Sequence, residues 1–119
     1  MSEDLTLSTI IGKIDSFTID RDWNKFHSVK NLALSISIEA AELCETIQWD
    51  NPSTKDVLSD FDLMTEISEE LADVLIYCFR LCSNLNLNPL DIINKKIEKN
   101  ALRYPVKLSK GKSDKCTKL

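Results

Sequence analysis

Glu39 and Glu42 stand three residues apart, and so do Glu70 and Asp73. Residues three or four apart share one face of a helix, so each pair forms a two-carboxylate edge. Glu45 and Glu69 extend the two rows, and Glu66 lies one turn before Glu70. Like charges at this spacing cost an isolated helix about a few tenths of a kcal/mol per pair, which is trivial on a solvated face. These acids, however, border apolar residues: Ile67, Leu71 and Val74 flank Glu70, and Asp73 directly precedes an apolar run. A carboxylate taken out of water without a partner is costly or must protonate. A divalent cation resolves the conflict, and hard carboxylate oxygens suit Mg²⁺, Mn²⁺ or Ca²⁺ better than zinc. Spacing alone leaves the other reading open, in which the acids are a solvated face of amphipathic helices.

The elements that must position these acids can be read from apolar spacing. A first helix is expected from about Leu5 to Asp20, with Leu7, Ile10, Ile11, Ile14 and Phe17 on one face; Ser8 and Thr9 blur its start. Residues 21–27, polar and aromatic, suit a loop. Ser28 is placed to cap a second helix running to about Trp49, before the break at Asn51-Pro52-Ser53. Leu34-Ser35-Ile36-Ser37-Ile38 alternates like a strand, but the helix-forming Glu39–Leu43 segment that follows argues for helix throughout. Residues 54–60 form a polar connection with room for a short helix. The next long helix spans about Phe61–Leu85 and is apolar nearly all round between Leu71 and Cys82, which implies burial on several sides. Four helices in so short a chain cannot enclose it, so a homo-oligomer is expected to cover the rest. Pro89 opens a last long helix ending near Arg103, before Pro105. The expected fold is all-α, a four-helix bundle completed by oligomerisation, with one domain over residues 1–105 and an irregular Lys-rich tail over 106–119.

Composition narrows the function. The 119 residues are 43% hydrophobic and 29% charged, as in a globular domain, and 2 Gly and 3 Pro are too few for a turn-rich β architecture. No stretch approaches a membrane span, and the acidic start, Met1 to Asp4, lacks the character of a signal peptide, so a cytoplasmic address is expected. Sixteen acids and five bases precede Val74; three acids and ten bases follow. The first part suits cations and the last part anions, while the net charge of -4 disfavours nucleic acid as a partner. Cys44, Cys78, Cys82 and Cys116 form no metal-ligand pattern and are expected to be buried, reduced thiols. A ferritin-like di-iron site needs Glu-x-x-His pairs, and the only histidine, His27, lies outside both acidic segments.

The acidic pairs also sit within an ordered set of blocks: Arg21-Asp22-Trp23 with Phe26-His27, Lys30-Asn31-Leu32, Gln48-Trp49, Glu69 to Tyr77, and Arg103-Tyr104-Pro105-Val106. This set resembles the dCTP pyrophosphatase branch of the MazG-like all-α nucleoside triphosphate pyrophosphatases, over roughly residues 17–110. The resemblance implies Mg²⁺-dependent hydrolysis of a (deoxy)nucleoside triphosphate, dCTP or a related dNTP, to the monophosphate and pyrophosphate. It implies Glu39, Glu42, Glu70 and Asp73 as magnesium ligands, with Glu45 assisting or positioning the attacking water. Trp23, His27, Trp49 and Tyr77 would wall the base, since aromatic faces stack on nucleobases. Lys96, Asn100 and Arg103, one face of the last long helix, would hold phosphates together with Tyr104. Family members form dimers and dimers of dimers, so a tetramer is expected. The chain departs from the branch at Ala40-Ala41, where Val-Gly is common, which bears on base preference more than on the reaction. Two alternatives stand beside this reading: a broader house-cleaning pyrophosphatase for modified nucleotides, and a non-catalytic helical interaction module.

Overall fold

The first helix starts because two threonines cap it. Thr6 Oγ1 accepts from Thr9 N at 3.1 Å, and Thr6 N donates to Thr9 Oγ1 at 2.8 Å. This reciprocal box satisfies two donors that a helix N-terminus otherwise leaves orphaned, and α1 runs over Leu7–Asp20. Thr9, unfavourable as an interior residue, is therefore part of the start signal. The computed structural model describes residues 4–119, so the acidic opening before Asp4 lies outside the described residues.

A 3₁₀ turn, Asn24–Phe26, leads to α2, Val29–Glu45. Ser28 caps α2 as its type predicts, with Oγ accepting from Asn31 N at 3.1 Å. The strand-like alternation over residues 34–38 is helical, and it leaves Leu34 and Ile38 exposed one turn apart. Helix α2 ends at Glu45, four residues short of Trp49. There Thr46 Oγ1 turns back onto Leu43 O at 2.7 Å, and the following amides bond three residues back instead of four. That tighter pattern unwinds the chain into a turn before Pro52.

The connection carries α3, Thr54–Leu58, capped by a Ser53–Asp56 box. Asp60 Oδ1 accepts from Leu63 N and opens α4, Phe61–Asn84. Helix α4 packs chiefly on α2, and also on α1 and α3. Leu32 of α2 is fully buried at the centre of this unit, with Thr18 and Arg80 nearly so. Burial of α4 on all sides, expected from its sequence, is not found within one chain: Leu71, Leu75 and Ile76 stay about half exposed. Among the described residues there is no strand, and no helix is long and apolar enough to cross a membrane.

A second compact unit covers Leu87–Leu119. Asn88 caps α5, Pro89–Arg103, with Pro89 at its first position as expected. The tail is less irregular than its composition suggests, since it holds α6, Val106–Ser109, and a terminal 3₁₀ turn, Cys116–Lys118. The cysteines are free thiols as expected, but Cys44 is exposed and the other three only partly covered, so the expected full burial is found for none of them.

The core argument predicts that Leu32→Ala will destabilise the chain by about 2–5 kcal/mol, the usual cost of an emptied leucine site. Urea denaturation followed by circular dichroism measures it.

Candidate active site

Packing of α2 on α4 brings the acidic edges face to face. One carboxylate oxygen each from Glu39, Glu70 and Asp73 lies within 4.8 Å of the other two, a grouping able to surround one cation. Glu39 Oε2 and Glu70 Oε2 are shielded from solvent and have no hydrogen-bond partner among the described residues. Buried oxygens of this kind are rare and call for an explanation. The donor set fits a hard divalent cation, which takes carboxylate oxygens and tolerates retained waters.

Glu42, expected as a fourth ligand, is not part of this grouping, and its carboxyl acts on Glu39 and Glu70 by hydrogen bonding as well as by charge. The Glu39 carboxyl is pushed up to about 7, by burial first, then by the adjoining Glu42 carboxyl and the charges of Glu42, Asp73 and Glu70. Glu70 is raised as well, by burial, then by Glu42, Asp73 and Glu69. The Tyr77 hydroxyl is also raised, by burial and then by Glu39, Asp73 and Glu42.

Two clefts flank the carboxylates. One, of about 450 Å³, is lined by Glu39 and Asp73 on one side and by Phe17, Trp23, His27 and Tyr77 on another. Its aromatic wall depends on a sharp reversal after α1. Asp22 takes the left-handed conformation, with φ at 54°, which aspartate tolerates better than most residues. Trp23 N then bonds Thr18 O at 3.1 Å, and its ring meets Phe17 edge-on with centroids 5.7 Å apart. His27 meets Tyr77 edge-on at 6.4 Å. The other cleft, of about 370 Å³, is lined by Glu42, Glu45, Glu66, Glu69 and Glu70. Glu45 thus faces the acidic side, on the last turn of α2.

The structure does not bring Trp49 to the aromatic wall. It sits beyond the end of α2, is 86% exposed and is not among the residues lining the cleft. Lys96, Asn100 and Arg103 lie on α5 and Tyr104 is its C-cap, all in the second unit.

Sequence reading missed Arg80. It is 7% exposed, lines the cleft and, from α4, binds three residues: Nη1 donates to Asp15 Oδ1 at 2.9 Å, Nε to the cleft residue His27 at Nδ1 at 3.1 Å, and Nη2 to Asn24 Oδ1. The signal was available, because Arg80 is the only charge between Val74 and Cys82. A charged residue inside a buried run requires partners.

Fold and site together define an all-α protein whose paired helices carry a desolvated carboxylate centre beside an aromatic cleft. Comparison with known proteins agrees with that class. The family model for the MazG-like family matches residues 34–119. Dotted along nearly the whole chain is similarity to dCTP pyrophosphatase 1 of Homo sapiens, 35% identical over 121 residues, which span 99% of this chain and 70% of that protein. The protein of the same name from Mus musculus is 34% identical over 119 residues, with the same shares covered. A solved pyrophosphatase from Archaeoglobus fulgidus superposes with a TM-score of 0.74 at 38% identity, covering 88% of this chain and 97% of the other. The chain belongs to the MazG-like family, as its sequence blocks indicated.

The carboxylate geometry predicts a pH effect with a definite sign. An acid whose native value is raised holds its proton more tightly in the folded state, so raising pH from about 4.5 through about 7 removes stability. With a chelator present, the melting temperature should fall between about pH 5 and about pH 8, and Mg²⁺ should restore most at the upper end. Glu39→Gln should flatten the profile. Thermal shift across pH checks this; an unchanged profile in the variant would remove Glu39 from the centre.

Proposed function

We propose that this chain hydrolyses (deoxy)nucleoside triphosphates, dCTP and related dNTPs foremost, to the monophosphate and pyrophosphate in the presence of Mg²⁺. The observation that carries the reading is the pair of shielded, unpartnered oxygens on Glu39 and Glu70, grouped with Asp73 and opening onto an aromatic cleft. Membership of a family whose relatives are named dCTP pyrophosphatases supports the same substrate class.

In this reading Glu39, Glu42, Glu70 and Asp73 hold the magnesium. When bound, Mg²⁺ neutralises triphosphate charge and lowers the pKa of a water molecule. The protein's own residues do the rest. Trp23, His27 and Tyr77 wall the cleft that takes the base, with stacking as the main attraction. At 450 Å³ that cleft is in the range of small-ligand sites. Glu45, on the acidic side, assists or positions the attacking water. Lys96, Asn100 and Arg103, spaced along one face of α5, and its C-cap Tyr104 are taken to bind phosphate oxygens. Trp49 would complete the base site only through another copy of the chain.

The exposed apolar residues of α2 and α4 support an oligomer, and we take it to be a tetramer, a dimer of dimers, located in the cytoplasm. Leu34, Ile38, Leu71 and Leu75 are too exposed for a stable isolated surface. Light scattering on the purified chain should give four copies; a monomer would remove this part of the reading.

Incubation of the chain with a dNTP panel and Mg²⁺ should release pyrophosphate, fastest from dCTP. Release of orthophosphate, or of nothing, would sink the proposal, and a preference for modified bases would shift it to a house-cleaning role. Glu70→Gln and Asp73→Asn should each fold yet lose turnover by about a hundredfold or more. Full activity in both would remove the metal assignment.

A further inference from the structure

The aromatic cleft contains one ring whose hydrogen-bonding state is set by its neighbours. His27 Nδ1 accepts from Arg80 Nε at 3.1 Å, so Nδ1 carries a lone pair and the ring proton resides on Nε2. Nε2 has no protein partner among the described residues, and His27 lines the cleft. Arg80 itself cannot turn away. Its guanidinium is held by Asp15 Oδ1 at 2.9 Å and by Asn24 Oδ1, while Asp15 Oδ2 accepts from Ser83 Oγ at 3.0 Å. The His27 backbone is tied down from the same helix, with Asn84 Nδ2 donating to His27 O at 2.6 Å.

We propose that Arg80 is a positioning residue that locks His27 as the Nε2–H tautomer, so that the cleft presents a fixed N–H donor to an acceptor atom on the bound base. The recognition half rests on the nucleotide reading above; the lock itself rests on geometry alone. Three features of the network favour a lock over a merely structural ion pair. A structural pair would need only Asp15. The guanidinium instead spends its Nε, the donor in line with its stem, on the cleft histidine, and planar arginine offers that fork where lysine does not. The surrounding cation and burial also hold the ring neutral, lowering the His27 pKa by burial first and Arg80 second. A neutral ring with a fixed tautomer favours pyrimidines that place a carbonyl or ring-nitrogen acceptor at that position. It discriminates against a base that presents a donor there, because two donors would face each other unpaired.

The chain has a single histidine, which makes the test direct. Long-range ¹H–¹⁵N correlation spectra of the untagged, ¹⁵N-labelled chain near neutral pH report which ring nitrogen carries the proton. The expected result is a pure Nε2–H pattern. Arg80→Met keeps the stem and removes the donors, and Asn24→Ala frees one side of the guanidinium from an exposed loop; both should give a mixture of tautomers. In steady-state assays with a nucleoside triphosphate, both should raise KM by about tenfold while kcat stays within about twofold, the signature of one lost ground-state hydrogen bond. A wild-type ring protonated on Nδ1 would overturn the proposal. So would variants that keep the pure pattern, or that lose kcat with KM unchanged. Should the wild-type chain turn over no nucleotide, the functional reading fails, and the ring spectra of the wild type and both variants still decide the lock.

Discussion

The structure turns on a conflict between packing and charge. Helices α2 and α4 meet around Leu32, and burying that seam supplies much of what holds the first unit together. The same contact draws Glu39, Glu70 and Asp73 to within 4.8 Å of one another and shields two of their oxygens from water. Hydrophobic burial therefore forces like charges together. The chain tolerates this by protonation, which is what the raised Glu39 carboxyl expresses, or by a cation. A site that destabilises its own fold when empty is common where function demands it.

The two clefts divide the work around this centre. One side is walled by Phe17, Trp23, His27 and Tyr77, suited to a flat ring. The other is lined by five acids and thirsts for cations. A substrate with a base at one end and phosphates at the other matches that polarity only if cations sit between phosphate and carboxylate. Without them, the acidic wall would repel the phosphate chain. On these electrostatics, a phosphate chain would meet the acidic wall only together with a cation.

How far the sequence could be read follows from which physics is local. Caps are local, so Ser28 and Pro89 marked their helices correctly. The end of α2 was placed four residues late because Thr46 decides it by a side-chain turn onto Leu43, a competition that apolar spacing does not register. The carboxylate pairs were legible because their period is helical and their order matched a family. Asp15, Asn24 and Arg80 were not, since they meet across 56 and 65 positions of sequence and no single segment carries their pattern. Trp49 was grouped with the other aromatics by type and sequence blocks, but the turn after Glu45 leaves it in solvent within one chain.

Arg80 shows what a break in pattern can mean. Removing it on paper would leave α4 apolar from Val74 to Cys82, a better core helix by every local criterion. Replacing a buried charged network with well-packed apolar residues often costs no stability and can add some. A charge kept at such a position therefore needs a reason beyond holding the fold. Here the guanidinium spans α1, the loop before α2 and α4 at once, and its Nε ends on the one histidine of the chain. The carboxylate centre shares α4 with this network, since Glu70 and Asp73 lie on the helix that Arg80 ties to α1 and to the loop before α2. Tyr77 and Asp73 stand about one and two turns before Arg80 on α4, so the helix held by Asp15 and Asn24 also carries part of the ring wall and one of the acids. The acids and the ring wall thus share α4, and the charge that interrupts its apolar run ties that helix to α1 and to the histidine of the cleft.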